Sequence, residues 1–451
     1  MSNHPPFRFK RRNYLHFDLP VSHQCAEELA CDSGRVARHS FYPFLGFTNV
    51  IRRVKEDENG LMVVKKKHRE IKIASHRDAA IYSRYSDLLS VAYETELTNL
   101  EIGHVVSAFR QLPSGGTNID FAGAVFDYIN RHRPCVALAF DLEKFFDTLD
   151  HDLLKSQWLR LLAVQRLPPD HFAVFKSLTE FSWVEREEAF KALGISRHNP
   201  KANGRRRICE PDKFRREIRA HKLIRGNPTP GEGIPQGSPI SALLSNIYML
   251  DFDAELNTQI QGLGGLYRRY CDDIMIVVPP EHQLAAEAFV RGAVQTVGLT
   301  FNISKTDRAL FPEGNGQPIQ SDQLPSGFSA HIQYLGFTFN GAQRLIRPGS
   351  LVRYYGKMRA GVSLAKQTRR RHNRIETARG DAPSPLRTRK LSQQYSYLID
   401  RRSCIKGRDK EARGNFLTYA YKASRKLGAP EIKRQVRNHW KKLQDEINEA
   451  H

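Results

Sequence analysis

Residues 268–278 read RRYCDDIMIVV, and the fold class turns on that stretch. Tyr267–Val278 has the pattern of a hairpin, two apolar strands around Cys-Asp-Asp. An Asp-Asp turn is by itself ordinary hairpin chemistry. Apolar strands on both sides nevertheless bury the surroundings of Asp272 and Asp273, and two buried like charges repel unless a cation joins them. Mg²⁺ suits such a place, because it takes one or two carboxylates and completes its shell with substrate phosphates. Successive strand residues face opposite sides of a sheet, so Asp272 is expected as the close ligand and Asp273 as the looser one.

A third carboxylate lies upstream, in ALAFDLEKFFDTLDHDLL (137–154). The apolar run Val136–Phe140 reads as a buried strand that delivers Asp141 to its C-terminal end, with a helix expected from about Lys144 to Leu162. Asp is a favoured N-cap, so capping that helix is one reading of Asp141. The other joins it to the Asp-Asp turn. Three carboxylates from two strands suit a pair of ions about 3.5–4 Å apart that clamp an in-line phosphoryl displacement. Residue chemistry alone reaches metal-dependent nucleotidyl transfer on nucleic acid.

The remainder of the chain agrees in character. Of 451 residues 40% are hydrophobic and 26% charged, which supplies a core and excludes wholesale disorder. No apolar run approaches the roughly 18 residues of a membrane span, and the basic start MSNHPPFRFKRRNYL lacks the apolar centre of a secretory signal. Six cysteines without a C-x-x-C pair lead us to expect a reduced, cytoplasmic chain. The net charge is +22, and it is lopsided: residues 341–451 hold 28 Lys and Arg against 9 Asp and Glu, a net of +19. A nearly neutral body with a strongly basic end implies a polyanionic partner.

Periodicity sketches an α+β body followed by a basic helical domain. Residues 1–60 are irregular in pattern. Two short strands around a basic turn are expected at 61–74 and a helix at 76–95. Residues 195–232 break the pattern as a surface loop or small subdomain. Helices are expected at 238–256 and 282–297, and strands at 299–303 and 332–339. Beyond Pro348 the chain reads as helical, with breaks at Gly380–Pro385 and Gly428–Pro430.

In chain order, Asp141-L-E-K-Phe145-Phe146-Asp147, Gly233-I-Pro235-Gln236-Gly237-Ser238-Pro239, Tyr270-Cys-Asp272-Asp273, Asn302-x-x-Lys305-Thr306 and Tyr334-Leu335-Gly336-Phe337 resemble the palm motifs of reverse transcriptases. The resemblance covers about residues 60–340. It implies a right-hand polymerase: an N-terminal extension (1–60), fingers (61–135), a palm with an insertion near 195–232 (136–340), and a basic helical thumb and C-terminal region (341–451). It further implies that Asp141, Asp272 and Asp273 are catalytic and hold two Mg²⁺ ions, with Mn²⁺ as a substitute. Phe146 falls at the sugar selector, where a ring under C2′ clashes with a ribose hydroxyl; packing in the core is its alternative. Lys67 and Arg69, within the cluster Lys65, Lys66, Lys67 and Arg69, fall where a dNTP triphosphate is held, and a solvated hairpin tip is the competing reading. Gln236, in a Gly/Pro-rich segment that can approach a nucleotide closely, offers it hydrogen bonds; an ordinary loop with Ser238-Pro239 as N-cap and first helical residue is the competing reading. Lys305 falls at a general-acid position, with a plain surface lysine as its alternative. Tyr334, Leu335 and Gly336 fall at the primer grip, in a hairpin closed by Asn340-Gly341, and core packing explains the same alternation.

The resemblance is narrower within the family. The chain carries neither a Cys/His endonuclease cluster nor the Val-Thr-Gly signature of retrons after Tyr334. What remains is similar to the single-domain bacterial reverse transcriptases of antiphage defence, class 2 in particular, which implies a dedicated noncoding RNA template, a DNA primer or product, dNTPs, no membrane and a bacterial cytoplasm. Template-independent or protein-primed DNA synthesis on the same palm, and a non-catalytic RNA-binding or splicing cofactor, are the other functions these motifs allow. Aromatics among the basic residues (Tyr354, Tyr395, Phe416, Trp440) either stack on bases or fill helix cores.

Overall fold

The computed structural model describes residues 5–56, 62–110, 112, 115–301, 306–314, 319, 324–397 and 414–449. In chain order the elements begin with helices α1 (His23–Ala30) and α2 (Ser33–Ala37), strands β1 (Phe44–Glu56) and β2 (Met62–Ile73), α3 (His76–Asn99), α4 (Asn118–Arg131) and β3 (Cys135–Asp141). Then come α5 (His151–Leu162), α6 (Pro169–Thr179), β4 (Trp183–Glu185), α7 (Arg186–Ala192), β5 (Ile224–Arg225), α8 (Ser241–Tyr248), α9 (Leu250–Gly262), β6 (Leu266–Tyr270), β7 (Asp273–Val278) and α10 (Gln283–Thr296). The chain closes with β8 (Asp307–Phe311), β9 (Ile332–Tyr334), β10 (Phe337–Phe339), β11 (Arg344–Ile346), α11 (Pro348–Ala378), α12 (Thr388–Tyr395), α13 (Phe416–Lys426), α14 (Pro430–Val436) and α15 (His439–Asn448). They form two compact units, the first made of Met1–Ile51, Lys66–Leu112 and Ala139–Thr306, the second of Arg52–Lys65, Pro113–Leu138 and Asp307–His451.

In the first unit β6 and β7 pair as an antiparallel hairpin, and the end of β3, Ala139–Asp141, belongs to the same sheet. Cys135–Leu138 of β3 are all buried, as expected of a strand covered on both faces, whose sequence is a continuous apolar run. The hairpin expected at Tyr267–Val278 is present, with Tyr270 opposite Asp273 and Cys271-Asp272 as the turn. A second sheet, ordered β2–β1–β4–β5, has β1 and β4 parallel, Phe44 opposite Trp183. Helix α3 stands against this region and is fastened at its start. The Asp18 carboxylate accepts from the amides of His76 and Arg77, both at 3.0 Å, and the Ser75 hydroxyl caps Asp78, so three of the four orphan donors of the first turn are satisfied. Its buried Tyr82, Tyr85, Leu89 and Tyr93 recur at helical spacing.

Several expectations are corrected here. Residues 1–60 are not irregular: they hold α1, α2 and the long strand β1. Residues 61–74 are not a hairpin of their own, because β2 is a single strand paired with β1. Of the two readings of residues 195–232, the surface loop fails and the small packed subdomain remains. Ile208, Phe214 and Ile218 are buried in one cluster with Phe17, Leu45, Val184 and Phe190, so sparse apolar side chains anchor an otherwise charged segment. The helix after Asp141 starts at His151, capped by Asp150, and a 3-10 turn (Phe145–Asp147) fills the gap. Ser238 is not an N-cap of α8, which starts at Ser241.

The second unit contains the antiparallel sheet β9–β10–β11. The hairpin around Tyr334 turns at Leu335-Gly336, both at positive φ, and Asn340-Gly341 turns the following pair, β10 to β11. Phe339 stacks on Phe126 and Phe311, with ring centroids 4.9 and 5.6 Å away. In α11 the buried side chains Tyr354, Met358, Val362 and Lys366 recur every four residues, a single stripe along a 31-residue helix whose other faces are basic. Lys366 Nζ donates to the carbonyls of Glu446 and Glu449 at 2.6 Å each, closing the end of α15. Tyr354 and Tyr395 are buried, which agrees with the core reading for these two, while Trp440 is 37% exposed. Among the described residues no helix is long and apolar enough to cross a membrane.

Candidate active site

The site is assembled by main-chain hydrogen bonds. Asp141 ends β3 half-buried, and the next amide, Leu142 N, donates to the carbonyl of Asp272 at 3.0 Å. This single bond sets the Asp141 backbone beside the Cys271-Asp272 turn. One residue further, Glu143 N donates to Thr300 O at 2.9 Å. Asp272 and Asp273 are also half-buried. Cys271 is buried and in the left-handed region, φ 59°. Burial first, then the Asp272 carboxylate, push its thiol well above the ordinary range, so it stays a neutral donor beside that carboxylate.

A second set of bonds brings in the glycine-rich segment. Gly233 N donates to Leu149 O at 2.8 Å and Ile234 N to Phe146 O at 2.9 Å. Gly233 has φ 80°, and a Cβ there would stand 2.8 Å from the Asp147 carbonyl oxygen, so only glycine fits this close approach. Gln236 O accepts from Lys72 N at 2.8 Å, and a Cβ on Gly237 (φ 119°) would meet Ile71 Cγ2 at 3.0 Å and Lys72 O at 3.1 Å. Strand β2 is thereby docked on Gln236-Gly237. Lys67, Arg69 and Ile71 share one face of β2 by strand alternation, Lys67 half-buried and Arg69 exposed.

Within the first unit, main-chain bonds thus join the Asp141 strand end to the Cys271-Asp272 turn and Phe146 to the segment that carries Gln236, with Lys67 and Arg69 on the strand bonded to Gln236. Phe145 is buried, whereas Phe146 is half-buried at a ring distance of 5.6 Å from it. Lys305 and Asn302 lie outside the described residues. Tyr334, Leu335 and Gly336 belong to the second unit. There Tyr334 is buried, Leu335 O accepts from Asn118 Nδ2 at 3.0 Å and Gly336 O from Arg347 N at 3.0 Å.

Among the described residues no group of three or more His, Cys, Asp or Glu side chains is set to hold a metal ion. The donor chemistry nonetheless fits a hard cation: carboxylate oxygens alone, half-buried, on a strand end and a turn that share a main-chain hydrogen bond.

Sequence reasoning missed three residues. Lys72 is buried, its Nζ 3.2 Å from Glu70 Oε2 and over the rings of Trp183 (5.2 Å) and Phe181 (5.6 Å). Its place between Ile71 and Ile73 in a strand was the available signal. Arg269 and Asp253 form an ion pair with both side chains at 0% exposure. For Arg269 the signal was a charged residue in phase with the apolar Tyr267.

Residues 217–339 match the family model described as reverse transcriptase (RNA-dependent DNA polymerase). The match contains Gly233–Pro239, Asp272, Asp273 and Tyr334–Gly336 but begins after Asp141 and Phe146, which the hydrogen bonds above join to it. The chain is α+β, and this stretch is where it is similar to the palm of right-hand polymerases. No curated protein sequence matches the chain at a significant level. Similar solved structures include the apo telomerase of Candida tropicalis truncated from its C-terminal domain, at 12% identity over 71% of this chain and 59% of that one, TM-score 0.37. The telomerase of Candida albicans in complex with a fragment of telomeric RNA is similar at 11% identity over 93% and 66%, TM-score 0.42. An insertion-loop deletion mutant of the RNA-dependent RNA polymerase of a human picobirnavirus is similar at 13% identity over 66% and 45%, TM-score 0.34. The chain spans less than two thirds of the length of each of these structures.

Proposed function

We propose that the chain is an RNA-directed DNA polymerase that adds dNTPs to a 3′-hydroxyl on an RNA template. The observation that carries this reading is the Leu142–Asp272 hydrogen bond, which brings the Asp141 strand end to the Asp-Asp turn inside a domain that matches the reverse transcriptase family. Asp141, Asp272 and Asp273 would hold Mg²⁺ or Mn²⁺. Bound there, the ions supply an activated 3′-hydroxyl and neutralise charge on the departing pyrophosphate. The chain's own groups do the rest. Phe146 stands under the sugar and excludes a 2′-hydroxyl, the Gln236 side chain hydrogen-bonds the incoming nucleotide, and Lys67 with Arg69 meets its triphosphate. Lys305 protonates the leaving group, and the Leu335-Gly336 turn holds the primer end.

The test is extension of a DNA primer on an RNA template with dNTPs and Mg²⁺. Wild-type protein is expected to extend it, chelation to stop it, and Asp272→Asn with Asp273→Asn to abolish it. Undiminished synthesis by that double variant sinks the assignment. Growth of homopolymers from single dNTPs without RNA would instead favour template-independent synthesis.

The template we propose is a dedicated noncoding RNA, in bacterial antiviral defence. Support comes from the motif resemblance to defence-associated reverse transcriptases and from the net +19 of residues 341–451, which suits a resident RNA. Sequencing nucleic acid that co-purifies with the protein should return one recurrent RNA and DNA complementary to it. A mixture of unrelated cellular RNAs would overturn the dedicated template. Loss of phage protection in the Asp272→Asn, Asp273→Asn variant tests the defence role.

A further inference from the structure

Arg269 immediately precedes Tyr270-Cys271-Asp272-Asp273, and its side chain turns inward. Its main chain is held on both edges: Arg269 N donates to Val105 O at 3.0 Å and Ser107 N to Arg269 O at 3.1 Å, while Ile274 faces it across the hairpin. The guanidinium binds Asp253 with two donors, Nε to Oδ1 at 2.7 Å and Nη2 to Oδ2 at 2.5 Å. Tyr267 OH, two residues back on the same strand face, donates to the same Oδ1 at 2.7 Å. The remaining arm, Nη1, donates to Asn246 Oδ1 at 3.2 Å and to the carbonyl of Cys271 at 3.1 Å. Asn246 is itself fixed by donating to Ala108 O at 2.8 Å.

Two consequences meet at Asp272. Cys271 holds a left-handed conformation that costs a non-glycine residue energy and persists only where its surroundings enforce it. The Arg269 arm on its carbonyl is such a restraint. The peptide before Asp272 is therefore pinned by Arg269 and the carbonyl after it by Leu142 N. With both neighbouring peptide planes fixed, the direction of the Asp272 Cα–Cβ bond, from which its carboxylate projects, is fixed as well. A buried ion pair alone gives no such selectivity, and an apolar pair of similar volume would pack there at comparable stability.

We propose that Arg269, clamped by Asp253 and Asn246, is the positioning residue that aims Asp272 at the divalent cation. The inference rests on the polymerase reading above. Arg269 touches neither substrate nor metal and acts through the Cys271 carbonyl, much as outer hydrogen bonds orient metal ligands in other sites.

The experiment compares wild type, Arg269→Lys and Asn246→Ala in the full chain. Lysine keeps the positive charge beside Asp253 but has no planar fork to reach the Cys271 carbonyl at the same time. Mn²⁺ binding, followed by electron paramagnetic resonance without substrates, is expected to weaken by roughly tenfold or more in Arg269→Lys. Primer extension should lose kcat by a similar factor with the dNTP KM unchanged, and excess metal should restore part of it. Asn246→Ala should show the same pattern more weakly. Wild-type Mn²⁺ affinity and kcat in a folded Arg269→Lys protein would overturn the proposal. So would an unfolded Arg269→Lys together with an Asn246→Ala of wild-type metal affinity. If wild type binds Mn²⁺ and Arg269→Lys weakens that binding but neither extends a primer, the polymerase reading fails and the positioning role stands.

Discussion

At the scale of single residues, chemistry is set by how tightly each side chain is placed. Phe146 is half-buried where its neighbour Phe145 is buried, a difference the proposed sugar selector requires. Phe146→Ala should let ribonucleotides in, reducing discrimination by about ten- to a hundredfold in single-nucleotide incorporation; unchanged discrimination would assign the ring to the core. Gly233→Ala should destabilise the fold by about 1–3 kcal/mol, measured by denaturant melting, since a Cβ would strike the Asp147 carbonyl at a positive φ. His16 supplies a pH dependence. It is fully buried, and its pKa is lowered to about 4 by burial, which outweighs the attraction of Asp18 and is aided by repulsion from His76. The unfolded chain binds that proton more readily, so the stability His16 contributes is complete above about pH 6.5 and is lost as pH falls toward 4, on the order of 3 kcal/mol. His16→Gln should flatten the melting temperature over that window, and an equally steep acid decline in the variant would place the effect elsewhere.

Elements are positioned by contacts that run against their sequence character. The segment 195–232 is rich in charge and poor in apolar residues, yet Ile208, Phe214 and Ile218 tie it to β1, β4 and α7. Ile218→Ala should cost about 2–5 kcal/mol in global unfolding, as core truncations do, whereas a surface loop would lose almost nothing. Strand β2 meets Gln236-Gly237 through the Lys72 amide, so the strand bearing Lys67 and Arg69 is registered by backbone to the segment we propose binds the nucleotide. A bulky residue at Gly237 should therefore raise the dNTP KM before it lowers stability. A pure stability loss with unchanged KM would refute that register.

For the whole molecule, charge distribution is what the proposed RNA partner rests on. The second unit carries the basic helix α11, on which Arg369, Arg370 and Arg374 are exposed. RNA affinity should fall linearly with salt on logarithmic axes, and replacing those three arginines with alanine should reduce the slope by about three. A slope unchanged by the triple substitution would move the RNA path off this helix.

How much of this was legible beforehand follows from the range of the forces involved. Local periodicity sufficed for β3, the β6–β7 hairpin, α3 and the helices after Pro348, because burial on one face prints itself on neighbouring residues. The acidic residues and the glycine-rich segment were legible by type and order. Irregular-looking residues 1–60 and 195–232 were not, since their few apolar side chains find one another only across long stretches of chain. Lys72 and the Arg269–Asp253 pair left only the faint signal of a charged residue within an apolar strand pattern, because such a side chain reads as solvated until the fold buries it. The linear order of residues determined which groups are available, an oxygen-rich acidic set and a basic end. Only tertiary structure decided that Leu142 would bond Asp272 and Arg269 would grip Cys271, because those bonds join residues held far apart along the chain or turned inward by packing.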